Sequence, residues 1–303
     1  MSRELGVPVA VKHRLLQVAR LRKEEFEQLL VRYVAERFLY RLSMSRFADA
    51  FLLKGAMLLI AWQGSPHRVT RDVDLLGLGE CSTAGVSEML REVALARAYD
   101  DGVTYDVGSL ETQTIRALSG AGGVRVTLWA NVGTARVKLQ VDVGFGDAVS
   151  PAPERIEFPS ILDQPRALLG AYPMPTFIAE KTMAIVERGF RNTRLKDYFD
   201  VHYLSQHWQF QAVALAHAMR ATSVRRGTPI QTCELPGLSG EFSSDQRRQL
   251  QWSAFCTRIA PQSTVEPLPA VVHSVSRFLG PILVAVATDT SPSALWTPGG
   301  PWR

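Results

Sequence analysis

The chain has 303 residues, 46% hydrophobic and 21% charged, with a formal net charge of +5. That composition is ordinary for a folded globular protein and argues against a disordered or fibrous chain. No stretch of eighteen uninterrupted apolar residues and no signal-peptide pattern is present, and Cys81, Cys233 and Cys256 fit neither a disulfide framework nor a zinc spacing, so a cytoplasmic protein without a membrane anchor is expected.

Residues 9–42 read as helical, with apolar positions such as Leu15, Phe26, Leu29, Leu30, Val34 and Phe38 at helical spacing. A strand follows at Phe51–Leu53, then Lys54, a turn at Gly55, and a short helix from Ala56. A glycine there allows close backbone approach to a phosphate.

Next comes Arg68-Val69-Thr70-Arg71-Asp72-Val73-Asp74-Leu75. In a strand, residues two apart share a face, so Asp72 and Asp74 project together while Val73 and Leu75 point into a core. Two adjacent carboxylates repel unless a cation lies between them, and Mg²⁺ is the usual hard ion that also takes phosphates. An Asp-x-Asp on an exposed loop would look the same, so the pair needs support from the rest of the chain.

Thr83–Ala98 is an amphipathic helix with Ser82 or Thr83 as its N-cap. Residues 103–145 read as mostly antiparallel strands. Val124–Leu128 alternates and is expected to pair, across a turn at Gly133, with Val137–Phe145, where Val137, Leu139, Val141, Val143 and Phe145 form the apolar face. Asp142 lies on the opposite face. It is either part of a solvated polar face or a third carboxylate beside Asp72 and Asp74.

Arg155–Phe158 reads as an edge strand, and the prolines between 150 and 175 mark a junction of lobes. From there the chain reads as helices at 177–188, 195–206, 211–225, 243–260 and 267–287, with a Gly/Pro/Ser-rich loop at 227–240 and a loosely packed tail at 288–303. The last helix is apolar but interrupted by His273, Ser274, Arg277 and Pro281, which suits a buried helix better than a membrane span. Three parts are therefore expected: a catalytic lobe over 1–160, a helical lobe over 161–287 completing a cleft, and a flexible tail over 288–303.

Lys181 falls inside the helix at 177–188, and Asp197 and Asp200 share a face of the next. A snorkelling lysine and helix-start aspartates would account for each alone. Their crowding with Arg188, Arg191, Arg194 and Lys196 is what a triphosphate-binding wall needs. Arg225, Arg226, Arg247 and Arg248 form further basic pairs that could meet RNA or nucleotide, although such clusters are more often solvated helix surface.

In this order, Lys-Gly-Ala with its helix, Arg-x-Thr-x-Asp-x-Asp, Val-Asp-Val-Gly-Phe-Gly-Asp, and Glu-Lys-x-x-x-Ile-x-x-Arg-Gly leading to Arg-x-Lys-Asp-Tyr-x-Asp resemble the AbiEii/AbiGii-type nucleotidyltransferases over about residues 40–210. These are toxins of type IV-like toxin–antitoxin and phage-defence systems, within the polymerase-β-like nucleotidyltransferase superfamily. The resemblance implies an α+β fold: a polymerase-β-like lobe with a small mixed sheet, followed by an all-helical C-terminal lobe.

It also implies a Mg²⁺-dependent transfer of a nucleotide from an NTP to RNA, with tRNA the leading acceptor, blocking translation and growth. A cognate AbiEi-like antitoxin is the expected partner. Asp72 and Asp74 become metal carboxylates, with Asp142 as a third ligand or a base. Lys54, Gly55, Arg68 and Thr70 fall in the nucleotide-binding segments, Lys181 becomes a phosphate contact, and Asp197 becomes the acidic residue of the last motif, with Asp200 its near alternative. The turn departs from the superfamily's Gly-Gly or Gly-Ser, being Gly55-Ala56 here. Transfer to a protein hydroxyl and a non-catalytic nucleotide-binding module are the competing readings.

Overall fold

The computed structural model describes residues 6–65, 68–79, 81–97, 99–116, 122–230, 235–259 and 266–303. Cys233, part of the 227–240 loop, and the expected helix ends at Ala98 and Ala260 lie outside them. The chain divides into two compact units, residues 1–146 with 154–171, and residues 147–153 with 172–303.

The first unit opens with α1 (Val7–Arg22) and α2 (Phe26–Met44). The helical stretch expected over 9–42 is two helices, parted where Lys23 takes the left-handed conformation, φ 53°, and its N–H closes the end of α1. β1 (Phe51–Lys54), α3 (Met57–Gln63), β2 (Asp72–Gly77) and α4 (Thr83–Leu95) follow. Ser82 caps α4 through its hydroxyl, which accepts from the Gly85 N–H at 3.1 Å. Then come β3 (Val103–Arg116), β4 (Gly122–Val132), β5 (Ala135–Phe145), β6 (Glu154–Phe158) and β7 (Ala167–Ala171).

These strands form a seven-stranded mixed sheet in the order β3-β4-β5-β2-β1-β7-β6. β2 runs parallel to β5 and antiparallel to β1, so β2, which carries the Asp-x-Asp, is interior to the sheet. Its alternation has a plain cause. Val73 and Leu75 are fully buried on one face, as are Leu139, Val141 and Val143 of β5, leaving the polar residues of both strands on the other. α2 packs on the sheet and carries a buried polar stripe: Arg37 pairs with Glu36, and Arg41 with Asp101. The pairing within this stripe was not visible in the helical spacing.

The second unit holds α5 (Met174–Arg188), α6 (Leu195–His207), α7 (Ala212–Arg226), α8 (Gly240–Ser244), α9 (Gln246–Ile259) and α10 (Leu268–Ala287), with the two-residue strands β8 (Phe210–Gln211) and β9 (Leu295–Trp296). The helix expected over 243–260 is thus two, parted at Asp245.

α10 is long and apolar enough to cross a membrane by length and composition, yet Val271, Val272, Val275, Phe278, Leu279 and Ile282 are buried against the other helices of the unit. The expectation of a loose tail at 288–303 is corrected. β9 pairs with β8, Trp296 is 2% exposed, and its indole N–H donates to the Ser205 carbonyl at 2.7 Å. Trp302 stacks on Phe278 with ring centroids 5.6 Å apart. Two tryptophans bury enough apolar area to order a tail whose Pro/Ser/Gly content suggested otherwise.

Candidate active site

The register of the sheet sets the site. Lys54 faces Asp74 across β1 and β2, Asp74 faces Asp142 across β2 and β5, and Asp142 faces Arg125 across β5 and β4. Directly opposed residues share a face, so Lys54, Asp74, Asp142 and Arg125 form one row across four strands, with Asp72 two residues from Asp74 on that face. The residues of the row and Asp72 together carry three carboxylates against two cations, an excess of one negative charge.

Gly55 and Asp74 interlock. Gly55 has φ +69°, and a Cβ built there would lie 2.0 Å from Asp74 Oδ2. The Asp74 carboxylate therefore occupies the space that the missing side chain leaves at the turn. Gly144 serves a similar purpose one strand over, since a Cβ there would lie 2.8 Å from the Lys54 ammonium nitrogen. Lys54 lies over β5 because position 144 has no side chain.

Arg125 grips Asp142 with both ends of its guanidinium, Nε to Oδ1 at 2.8 Å and Nη2 to Oδ2 at 2.7 Å, and the Gln140 amide adds a donor at 3.3 Å. Hydrogen bonding to Asp142 is the main cause that raises the Arg125 pKa above its ordinary value, and the charges of Asp72 and Asp74 add to it. Among the described residues, no group of three or more His, Cys, Asp or Glu side chains is placed to hold a metal ion. Asp142 thus stands opposite Asp74 on the neighbouring strand with Arg125 bound to both of its oxygens.

Arg125 was read only as part of an alternating strand. Counting outward from the Val132–Ala135 pair at the Gly133 turn would have set it opposite Asp142. Arg68 turns its guanidinium to the neighbouring Val69 carbonyl at 3.2 Å, and Thr70 is half-buried two residues ahead of Asp72.

In the second unit, Lys181 on α5 reaches both aspartates of α6, Asp197 Oδ1 at 3.0 Å and Asp200 Oδ2 at 2.7 Å. Arg194 bonds the other oxygen of Asp197 at 2.7 Å. Phe177, one turn back on α5, places its ring 4.7 Å from the Lys181 ammonium. Both aspartates are fully buried. Burial alone would push Asp197 up, but Lys181 and Arg194 outweigh it and hold its pKa below the usual carboxylate value.

Two of the four other basic candidates are committed to packing. Arg226 joins α7 to Glu180 and Glu187 of α5, and Arg248 lies over the Phe190 and Phe242 rings and pairs with Asp245. These are internal bonds of the helical unit, so neither side chain is the solvated polyanion contact its sequence neighbourhood suggested.

The family model for the nucleotidyl transferase AbiEii toxin of type IV toxin–antitoxin systems matches residues 37–274. No curated protein matches significantly. Among solved structures, JHP933 from Helicobacter pylori is similar with a TM-score of 0.51 at 13% identity, over 86% of this chain and 94% of that one. A proposed nucleotidyltransferase from H. pylori gives a TM-score of 0.49 at 13% identity, over 86% and 95%. The family match spans most of the sequence, and the chain belongs to the AbiEii family of nucleotidyltransferase toxins.

Proposed function

Starting from that membership, we propose that the chain is a Mg²⁺-dependent enzyme that moves a nucleotide from an NTP to a hydroxyl of RNA, tRNA foremost, and so arrests translation and growth. The toxin–antitoxin family implies an antitoxin partner, and we take it to be an AbiEi-like protein. The observation that carries the reading is the Gly55–Asp74 interlock beside Asp72, on a face whose carboxylates outnumber its cations. Asp72 and Asp74 fit a hard divalent ion: they are half-buried oxygen donors on one face of β2.

When bound there, Mg²⁺ would neutralise charge on the phosphate oxygens. The chain's own residues do the rest. Gly55 keeps the Asp74 carboxylate at the turn. Arg125 fixes Asp142 and keeps a positive charge beside the acidic pair. Lys54 sets a second positive charge at the other end of the row, where nucleotide phosphates would be drawn. In the transfer, the acceptor hydroxyl oxygen forms a bond to the α-phosphorus as the bond from that phosphorus to pyrophosphate breaks, and the hydroxyl proton passes to solvent. Such chemistry is mostly positioning and charge stabilisation. Lys181, with Asp197 and Asp200, is assigned to the nucleotide by the family resemblance.

The test is label transfer from each of the four NTPs to total RNA by the parent, Asp72→Asn and Asp74→Asn. Both variants should lose transfer by roughly two to four orders of magnitude with their melting temperature retained. Transfer within about tenfold of the parent in both would remove the site, and label on protein instead of RNA would redirect the acceptor.

A further inference from the structure

Asp142 is flanked by a cation on one strand and an acid on the other. Arg125 of β4 stands opposite it and binds both of its oxygens, and Asp74 of β2 stands opposite it in the parallel register. Neighbouring strands lie ~4.8 Å apart, and two carboxylates that close repel unless a cation is shared with them. Arg125 supplies that charge from the β4 side. A divalent ion at Asp72 and Asp74 would supply it from the β2 side. One carboxylate thus answers to two cations.

The arginine's grip is exchangeable. Arg125 is 37% exposed and Asp142 15%, and an ion pair open to water on one side holds its partners weakly. The Gln140 amide, at 3.3 Å, is a second donor that stays on the strand of Asp142 if the guanidinium leaves. Among the described residues, every hydrogen bond and ion pair of Arg125 goes to Asp142, through Nε and Nη2, while Nη1 makes none. The residue facing Arg125 from β3 is Gln113, which carries no charge. A guanidinium binds phosphate oxygens with the same fork that it offers a carboxylate.

We propose that the Arg125–Asp142 pair is a latch on the nucleotide site. Closed, it keeps the carboxylate from the metal and the guanidinium from the nucleotide. Opened, Asp142 turns to the ion at Asp72 and Asp74, and Arg125 turns to the phosphates. The latch rests on the reading of Asp72 and Asp74 as metal carboxylates. Because each partner restrains the other, removing one should strengthen what the other binds. A purely structural brace gives the opposite sign, since loss of either partner would leave the other misplaced.

The experiment uses the full-length parent, Arg125→Met, Arg125→Lys, Asp142→Ala, the Arg125→Met/Asp142→Ala double variant and Asp72→Asn. Mn²⁺ binding is read by electron paramagnetic resonance without nucleotide, and ATP binding by calorimetry in EDTA. Arg125→Met should bind Mn²⁺ about three- to fivefold more tightly than the parent, the scale of an exposed ion pair worth ~1 kcal/mol. Arg125→Lys, which keeps the charge and loses the fork, should fall between them. Asp142→Ala should bind metal-free ATP about three- to fivefold more tightly.

Removing a charge also changes the field around it, so the double variant decides. With Asp142 already alanine, Arg125→Met should change Mn²⁺ affinity by less than about twofold, and with Arg125 already methionine, Asp142→Ala should change metal-free ATP affinity as little. Weaker Mn²⁺ binding by Arg125→Met would make the arginine a brace and overturn the latch. An equal gain in both backgrounds would reduce it to a field effect and overturn it too. Asp72→Asn tells the two readings apart. If it holds Mn²⁺ as well as the parent, the acidic pair is removed and the latch with it. If it loses Mn²⁺ while Arg125→Met shows no gain, the latch alone is removed.

Discussion

Gly55→Ala tests the central geometry, because Gly64 provides an internal control. Both glycines have positive φ, +69° and +80°, but among the described residues a Cβ at Gly64 meets nothing within 4 Å, whereas one at Gly55 meets Asp74 Oδ2 at 2.0 Å. An alanine in the left-handed region costs about 1–2 kcal/mol at either position. For a unit of this size that is roughly 2–8 °C in melting temperature.

Only at position 55 must a carboxylate also move. Relieving a 2.0 Å approach to an ordinary contact of 3.4 Å displaces Asp74 by about 1.4 Å, and a misplacement near 1 Å in a reacting constellation costs on the order of a hundredfold. Gly64→Ala should therefore lose stability and keep transfer. Gly55→Ala should lose a similar amount of stability and about two orders of transfer. Melting curves paired with label transfer to RNA read both quantities. Equal activity in the two variants would show that the Asp74 position is irrelevant to the reaction, and the assignment of the acidic pair would go with it.

Lys181→Met should destabilise the second unit by about 3–5 kcal/mol, because it strips the shared counter-charge from two buried carboxylates; adding Asp200→Asn should restore much of the melting temperature, and if transfer returns with it, Lys181 is a structural residue and not a nucleotide contact. Asp142→Asn should cost less transfer than Asp72→Asn, and a double-mutant cycle with Arg125→Met should give a coupling near 1 kcal/mol, since Arg125 is 37% exposed and solvent screens the pair; no coupling would deny the bidentate pair any weight. Burial holds the His202 pKa below its ordinary value. The unfolded chain then takes up the proton first, so stability should fall as pH drops below ~6.5, and His202→Gln should flatten that slope in pH-dependent melting curves. Asp197, held low by Lys181 and Arg194, keeps its stabilisation above the ordinary carboxylate pKa of ~3.9 and loses it as pH falls through its own depressed value, so Asp197→Asn should lower stability throughout the range above ~3.9 and remove the acid-range slope that Asp197 contributes.

What the sequence made legible was local. The period-two pattern of β5 and the Asp-x-Asp of β2 follow from one buried and one open face, and each strand carries that record itself. Ser82 as a cap and Gly189 as the stop of α5 are equally local. The misreadings came from partners distant in sequence. Nothing near Trp296 announces Ser205, and nothing in the tail's composition announces Phe278 beneath Trp302.

The site divides along the same line, and the division changes how its acids should be weighed. Asp197 and Asp200 were legible as a pair on one helical face, but that they share Lys181, and that Arg194 closes the second oxygen of Asp197, depends on how α5 packs against α6. Once paired in this way, these two acids are buried, with positive charge supplied from within their own unit. Asp72 and Asp74 differ: they are only half-buried, and together with the row of Lys54, Asp142 and Arg125 they make three carboxylates to two cations. A free divalent cation gains most where negative charge is in surplus and desolvation is incomplete. The affinity for metal should therefore reside in the first unit, while Lys181 can reach a phosphate only by loosening a carboxylate it already holds. The two acidic motifs look alike in the sequence, yet one is suited to gather a cation and the other to hold a lysine in place.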